Sequence, residues 1–114
     1  MTATESFDAG IARQIGHYAD AVRIPAGYDQ IVVSGTSGLA ADGSLAGDMT
    51  GQATRAWQNA ETILNQAGAA LSDIVRVRQW LTRAEDVRAY ADVRSKFMTH
   101  TCSGFRVFWL RPRL

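Results

Sequence analysis

At 114 residues the chain is long enough for one domain built around a single core. Its 12 basic and 11 acidic residues give a net charge of +1. This balance argues against a dedicated nucleic-acid surface, since such surfaces carry a clustered excess of Lys and Arg. The late arginines Arg106, Arg111 and Arg113 are more typical of a solvated tail than of a phosphate-binding site.

The compartment is predicted from what the chain lacks. Cys102 is the single cysteine, so an internal disulfide is impossible, and a reduced intracellular compartment is the default. Residues 1–6 show neither the charged nor the apolar region of a secretory leader. No apolar run approaches the ~18 residues of a membrane span. We therefore expect a cytoplasmic protein without membrane contact.

The first third of the chain is predicted to hold short strands and turns. Residues 1–12 show no strong pattern, and we expect them to be partly loose. Residues 16–22 are compatible with a short strand, and the β-branched residues 30–34 predict a buried one. Asp42-Gly43 between Leu39 and Leu45 is a strong hairpin signal.

The clearest element is a long helix that begins near residue 49. Its apolar residues recur at steps of three and four, which places them on one face: Met49, Ala53, Ala56, Trp57, Ala60, Ile63, Leu64 and Ala67. Asp48 or Thr50 is expected to cap the first turn, and Gly68 to end the helix in a left-handed conformation. We expect Trp57 to be largely buried against the sheet.

The second half of the chain is predicted to form a strand, a helix and a further strand in that order. Residues 74–81 predict a strand, with Val75, Val77, Gln79 and Leu81 on one face and Ile74, Arg76, Arg78 and Trp80 on the other. Thr82-Arg83-Ala84-Glu85 has the capping-box pattern and opens a second helix. The apolar stripe of that helix consists of Val87, Tyr90, Ala91 and Phe97, with Met98 alongside. Residues 105–110 predict a last strand.

This order of elements predicts an α+β fold with one mixed β-sheet and two helices packed on one face of it. We treat residues 1–114 as one domain. The other face of such a sheet would be uncovered, and half-apolar faces on small domains are normally buried against copies of the same chain. The sequence therefore predicts a homo-oligomer.

The residue types and their spacing do not by themselves identify a reaction. His17, His100 and Cys102 offer at most a pair of metal ligands at workable spacing, so we predict no metal site. A His100–Cys102 catalytic pair is less favoured than an ordinary thiol. The glycine-rich run Ser34-Gly35-Thr36-Ser37-Gly38 lacks the Lys-Ser/Thr ending of a phosphate-binding loop.

The chain nevertheless resembles one family over residues 15–98. The order of its motifs resembles that of the RidA (YjgF-type) family. The motifs are, in chain order, Ile15-Gly16-His17-Tyr18, Ile31-Val32-Val33-Ser34-Gly35-Thr36, the long helix, Asp73-Ile74-Val75-Arg76-Val77 and the second helix. This resemblance implies a chorismate-mutase-like fold, a trimer with ligand sites between subunits, and no cofactor. It also implies hydrolytic deamination of small reactive enamine or imine metabolites.

The resemblance also implies a substrate-binding set of four residues. Tyr18 matches the family's N-terminal tyrosine, and Ser34 and Gly35 match its Ser-Gly, with the Gly35 N–H polarising the ligand. Arg106 is the nearest match to the arginine that holds a substrate carboxylate, although it arrives about two residues early.

Three departures from the family pattern bear on activity. The helix-2 asparagine of active members is replaced by Ala91, and the late strand that carries the water-positioning glutamate is absent. Residues 101–114 are atypical, as in a truncated or altered C-terminal segment. A non-catalytic ligand-binding or regulatory trimer on the same fold is therefore the second hypothesis. RNA cleavage, an activity attached to some relatives, is the third, and the charge balance disfavours it.

Overall fold

The computed structural model of the protein describes residues 5–15, 18–99 and 105–109, the last of these by their backbone. Four strands and two helices follow one another as β1 (Glu5–Phe7), β2 (Ala21–Arg23), α1 (Met49–Gln66), β3 (Val77–Leu81), α2 (Val87–Phe97) and β4 (Phe105–Trp109). Short 3-10 turns lie at Ala12–Gln14, Leu71–Asp73 and Ala84–Asp86. The predicted α+β class with two helices is confirmed.

The described strands pair as two small sheets instead of one. β1 runs antiparallel to β2, with Glu5 opposite Arg23, and the two side chains form an ion pair at 2.9 Å. β3 runs parallel to β4, with Val77 opposite Phe105. The parallel pair confirms the predicted strand–helix–strand unit, because a helix must carry the chain back between parallel strands.

Helix α1 has the capping and periodicity predicted for it. The Asp48 carboxylate accepts a hydrogen bond from the Gly51 N–H at 2.8 Å, so Asp48 and not Thr50 is the cap. Ala53, Trp57 and Leu64 are the buried residues, at spacings of four and seven. Gly68 ends the helix at a φ of +79°, a conformation that other residues adopt at a cost.

The hydrophobic core lies mainly between the two helices. The indole of Trp57 is 6% exposed and stacks on the ring of Phe97, with centroids 6.1 Å apart. Val93 and Met98 of the α2 segment are buried beside it. The prediction that Trp57 is buried is confirmed, but α2 supplies the stacking partner, and β3 contributes Val77 at the margin of the cluster.

Strand β3 turns one face to the helices, as its alternation predicts. Gln79 and Leu81 are buried, whereas Trp80 is 49% exposed. The amide oxygen of Gln79 accepts a hydrogen bond from the Arg94 guanidinium of α2 at 3.1 Å, which satisfies a polar group that burial would otherwise destabilise. The strand is shorter than predicted, since residues 74–76 are not part of it.

Three local predictions are wrong or shifted. Residues 30–34 form no strand, and no strand in the described part of the chain pairs with them. Ile31 and Val32 are 44% and 89% exposed. The early strand covers Ala21–Arg23 instead of residues 16–22, and Gly16 and His17 lie outside the described residues. Residues 1–12, for which no pattern predicts a regular element, contain β1.

The capping box predicted for α2 does not form. The side chain of Glu85 accepts hydrogen bonds from the Arg83 guanidinium at 2.8 and 3.0 Å. This contact occupies the carboxylate that the capping pattern assigns to the helix start, and a 3-10 turn leads into α2 instead. The ion pair is exposed, so its net contribution to stability is small.

Candidate functional site

The segment that carries Ser34 and Gly35 lies against α1. The side-chain amide nitrogen of Asn59 donates to the carbonyl oxygens of Ser37 and Leu39, at 3.0 and 2.9 Å. Between them Gly38 is buried so closely against α1 that a Cβ atom there would overlap the backbone carbonyl of Gln52. The glycine is thus required by close approach of two backbones.

A hairpin continues this segment, as Asp42-Gly43 predicts. Leu39 and Leu45 form an antiparallel bridge, and Gly43 adopts a φ of +84°. The Asp42 carboxylate accepts from the Ser44 hydroxyl at 2.6 Å and from the Ser44 N–H at 2.9 Å. These two bonds, the hydroxyl contact first, hold the pKa of Asp42 below its usual range. The hairpin is therefore locally rigidified beside α1.

An open groove of about 360 Å³ separates this segment from the α1 surface. Its lining residues are Gly35, Thr36, Ser37, Leu39, Asn59, Thr62 and Ile63. Backbone amides and short polar side chains form one wall, and Leu39 and Ile63 supply apolar surface. The mixture suits a small ligand with both a polar head and an apolar part.

The four residues predicted to bind substrate are distributed over three parts of the fold. Gly35 lines the groove, and Ser34 precedes it with its carbonyl oxygen accepting from the Thr36 hydroxyl at 3.0 Å. Tyr18 is half-buried ahead of β2 and does not line this groove. Arg106 lies in β4 opposite Arg78 of β3, and only its backbone is described.

The loop around Tyr18 is organised by one carboxylate. Asp20 accepts backbone N–H bonds from Ala9 at 2.6 Å, Ala12 at 2.8 Å and Ile11 at 3.4 Å. These bonds, that from Ala9 first, lower the pKa of Asp20, because they stabilise the ionised form. The chain on both sides of Tyr18 is therefore fixed by Asp20, a residue for which the sequence gives no signal.

A second group of groove residues was not predicted. Asn59, Thr62 and Ile63 come from the middle of α1. Ile63 was assigned to the apolar stripe, yet it is 39% exposed at the groove. Asn59 follows Gln52 by seven residues, so the two amides share one side of the helix, but this spacing does not indicate which backbone they face.

The described residues offer no cluster of three or more His, Cys, Asp or Glu side chains that would hold a metal ion. The sequence candidates His17, His100 and Cys102 lie outside this part of the chain. A helix both long and apolar enough to cross a membrane is likewise absent from the described segments.

Comparison with known proteins identifies the family. The model of the endoribonuclease L-PSP family matches residues 11–109, which is most of the chain. The chain belongs to the RidA (YjgF) family. No curated protein sequence matches it.

Solved RidA-family structures show the same fold. A Rid-family protein of unknown function from Yersinia pestis is 17% identical, with a TM-score of 0.78 over 96% of this chain and 87% of that one. RidA from an Antarctic Psychrobacter species is 22% identical, with a TM-score of 0.68 over 84% and 76%. A YjgF-family member from Mycobacterium tuberculosis is 24% identical, with a TM-score of 0.62 over 98% and 88%. The resemblance to the RidA family inferred from the sequence is thus confirmed.

Proposed function

We propose that this RidA-family chain hydrolyses small enamine or imine metabolites that carry a carboxylate. The observation that carries the proposal is the position of Gly35. The glycine of the family's Ser-Gly signature lines an open, partly polar groove beside α1. Among the described residues, no hydrogen bond occupies the Gly35 N–H, so it is available to polarise a ligand.

The chemistry required is modest. Water adds to the carbon of the C=N bond, the nitrogen takes up protons and leaves as ammonia, and a C=O bond replaces the imine. A donor aimed at the nitrogen stabilises the electron pair that develops there during this addition. In the proposal, Gly35 supplies such a donor, and Ser34 precedes it in the same segment. Tyr18 and Arg106 lie away from this groove within one subunit, so in the proposal a neighbouring copy of the chain brings Tyr18 to the groove as a wall and Arg106 as the residue that holds the carboxylate.

A homotrimer would complete the site. The groove is open on one side, and large apolar side chains stand at the surface of the isolated chain, among them Val32 at 89% and Trp80 at 49% exposure. Burial of such surface between copies is favourable at about 25 cal/mol per Å². Light scattering at micromolar concentration is expected to report a trimer, and a monomer would contradict this part of the proposal.

A second function is favoured by one feature of the sequence. Residues 93–114 contain no Asp or Glu, so they supply no carboxylate to position the attacking water. Binding of a carboxylate survives such a loss more readily than hydrolysis does, because only the transition state needs the water activated. The second candidate is therefore a ligand-binding trimer without turnover.

Ammonia release distinguishes the two functions. The substrate is the imine that an L-amino-acid oxidase releases from leucine in the same cuvette. For a deaminase, the chain accelerates ammonia release, and Arg106→Ala removes most of the gain. A charge-assisted contact worth about 1.5–3 kcal/mol corresponds to roughly tenfold to a hundredfold in rate. Tyr18→Phe is expected to cost less.

The matched control is Arg88→Ala, which removes an exposed arginine of α2. It is expected to leave ammonia release unchanged. A binder instead shows a higher melting temperature with 4-methyl-2-oxopentanoate, the keto acid product, and no acceleration, and Arg106→Ala abolishes the shift. Full turnover in Arg106→Ala would show that Arg106 is not the carboxylate anchor.

A further inference from the structure

The segment that runs from Ser34 through the hairpin to Ala46 is held to α1 by side-chain amides. Asn59 uses its single –NH₂ group for two bonds, to the carbonyl oxygens of Ser37 and Leu39. Seven residues earlier, the amide of Gln52 donates to the carbonyl oxygen of Ala46 at 2.9 Å. One side of α1 thus contacts the core through apolar residues, and another holds this segment through hydrogen bonds.

The chemistry of the Asn59 contact admits few other side chains. Both partners are carbonyl oxygens, which only accept, so the –NH₂ group and not the amide oxygen must face them. Two donors on one atom are needed at 2.9–3.0 Å. A hydroxyl supplies one donor, an ionised carboxylate supplies none, and Gln places its amide one methylene further away.

The two carbonyls flank the point where the backbones are closest. Gly38 lies between Ser37 and Leu39, and its Cα approaches the Gln52 carbonyl with no room for a side chain. Hydrogen bonds on both sides of Gly38 therefore determine how closely the segment approaches α1. Gly35 and Thr36, which directly precede Ser37, line the groove together with Asn59 itself.

We infer that Asn59 is a positioning residue for the Gly35 N–H. Its amide holds the backbone at Ser37 and Leu39, and this contact fixes the wall of the groove on which the Gly35 donor lies. The catalytic consequence of this role for Asn59 rests on the proposed function. Its structural consequence, a locally ordered segment from 35 to 39, is measurable without any substrate.

Hydrogen exchange in the full-length chain tests the structural part. Asn59→Asp keeps the size of the side chain but places a carboxylate against two carbonyl oxygens, and Asn59→Ala removes the contact altogether. Loss of the two hydrogen bonds is expected to speed exchange of the Ala40 amide by about tenfold to a hundredfold. This amide directly follows Leu39 and donates to the carbonyl oxygen of Ser44 at 2.9 Å. The exchange rates of the α1 and α2 amides around Trp57 and Val93 are expected to change less than threefold.

Gln58→Glu is the matched control, because it introduces the same charge at the adjacent, exposed position of α1. It is expected to leave exchange of the Ala40 amide unchanged. Unaltered exchange of the Ala40 amide in Asn59→Asp and Asn59→Ala would overturn the inference. So would a uniform increase over the whole chain in both variants, because it would indicate a general loss of stability.

The catalytic part is measured with the leucine-derived imine described above. If the wild type releases ammonia, the uncharged variant Asn59→Ala is expected to lower kcat/KM about tenfold or more, as is Asn59→Asp, while Gln58→Glu does not. An unchanged kcat/KM together with faster exchange would refute the link to Gly35. If the wild type releases no ammonia, the proposed function fails, and the exchange comparison still decides whether Asn59 orders the segment.

Discussion

Replacement of Trp57 by alanine is the strongest test of the helix–helix core. The side chain is 6% exposed and stacks on Phe97 at an interplanar angle of 16°. A buried aromatic removes roughly 150–250 Å² from water, equivalent to roughly 4–6 kcal/mol at about 25 cal/mol per Å². Alanine retains part of that burial but leaves a cavity, so Trp57→Ala is expected to cost about 3–5 kcal/mol.

The assay is a urea titration followed by circular dichroism, with stability taken from the midpoint and slope. Trp57→Phe keeps an aromatic ring opposite Phe97 and is expected to lose less than Trp57→Ala. Tyr90 packs against the same core, and burial raises its pKa to about 12. A cost below about 1 kcal/mol for Trp57→Ala would show that the α1 face toward α2 is not the one that stabilises the fold.

Two further predictions concern carboxylates that accept backbone N–H bonds. Asp48→Ala is expected to destabilise the chain by about 0.5–2 kcal/mol through loss of the α1 cap, and Thr50→Ala is expected to cost less. Equal losses of stability in urea titrations would contradict the assignment of Asp48 as the cap. The pKa of Asp20 is lowered in the folded chain. Its contribution to the free energy of unfolding is therefore fully present above its unfolded-state pKa of about 4 and is lost as the pH falls through its folded-state pKa. Asp20→Asn is therefore expected to lower the urea midpoint at pH 7 more than at pH 3, with Asp29→Asn as an exposed control; an equal loss at both pH values would refute the role of the charge.

Elements with their own local signals were predicted correctly. α1 combines an apolar period, a capping aspartate and a terminal glycine, and the Asp42-Gly43 turn fixes its hairpin through positive φ. Residues 30–34 have the composition of a strand, but a strand forms only where a partner pairs with its backbone. Among the residues that the structure describes, no strand pairs with Ile31 or Val32, so composition alone gave the wrong answer.

The candidate site was predicted less completely than the fold. The position of Gly35 at a groove follows from a motif in one segment of the chain. The opposite wall comes from α1, where Asn59 appears in sequence as an ordinary polar residue on an exposed helix face. Its importance depends on which backbone carbonyls are brought against it, and that is a tertiary contact which local periodicity does not encode. The same holds for Asp20, whose partners lie 8 to 11 residues away.

The parallel pairing of β3 with β4 has a consequence for how the chain folds. The described core cluster between α1 and α2 contains no residue of β4, so it is able to form before that strand docks. Until β4 arrives, β3 exposes the backbone edge that β4 later covers. An uncovered edge with apolar residues is a template for pairing with other chains. A chain whose helices have packed but whose last described strand has not docked is thus open to pairing with other copies of itself through β3.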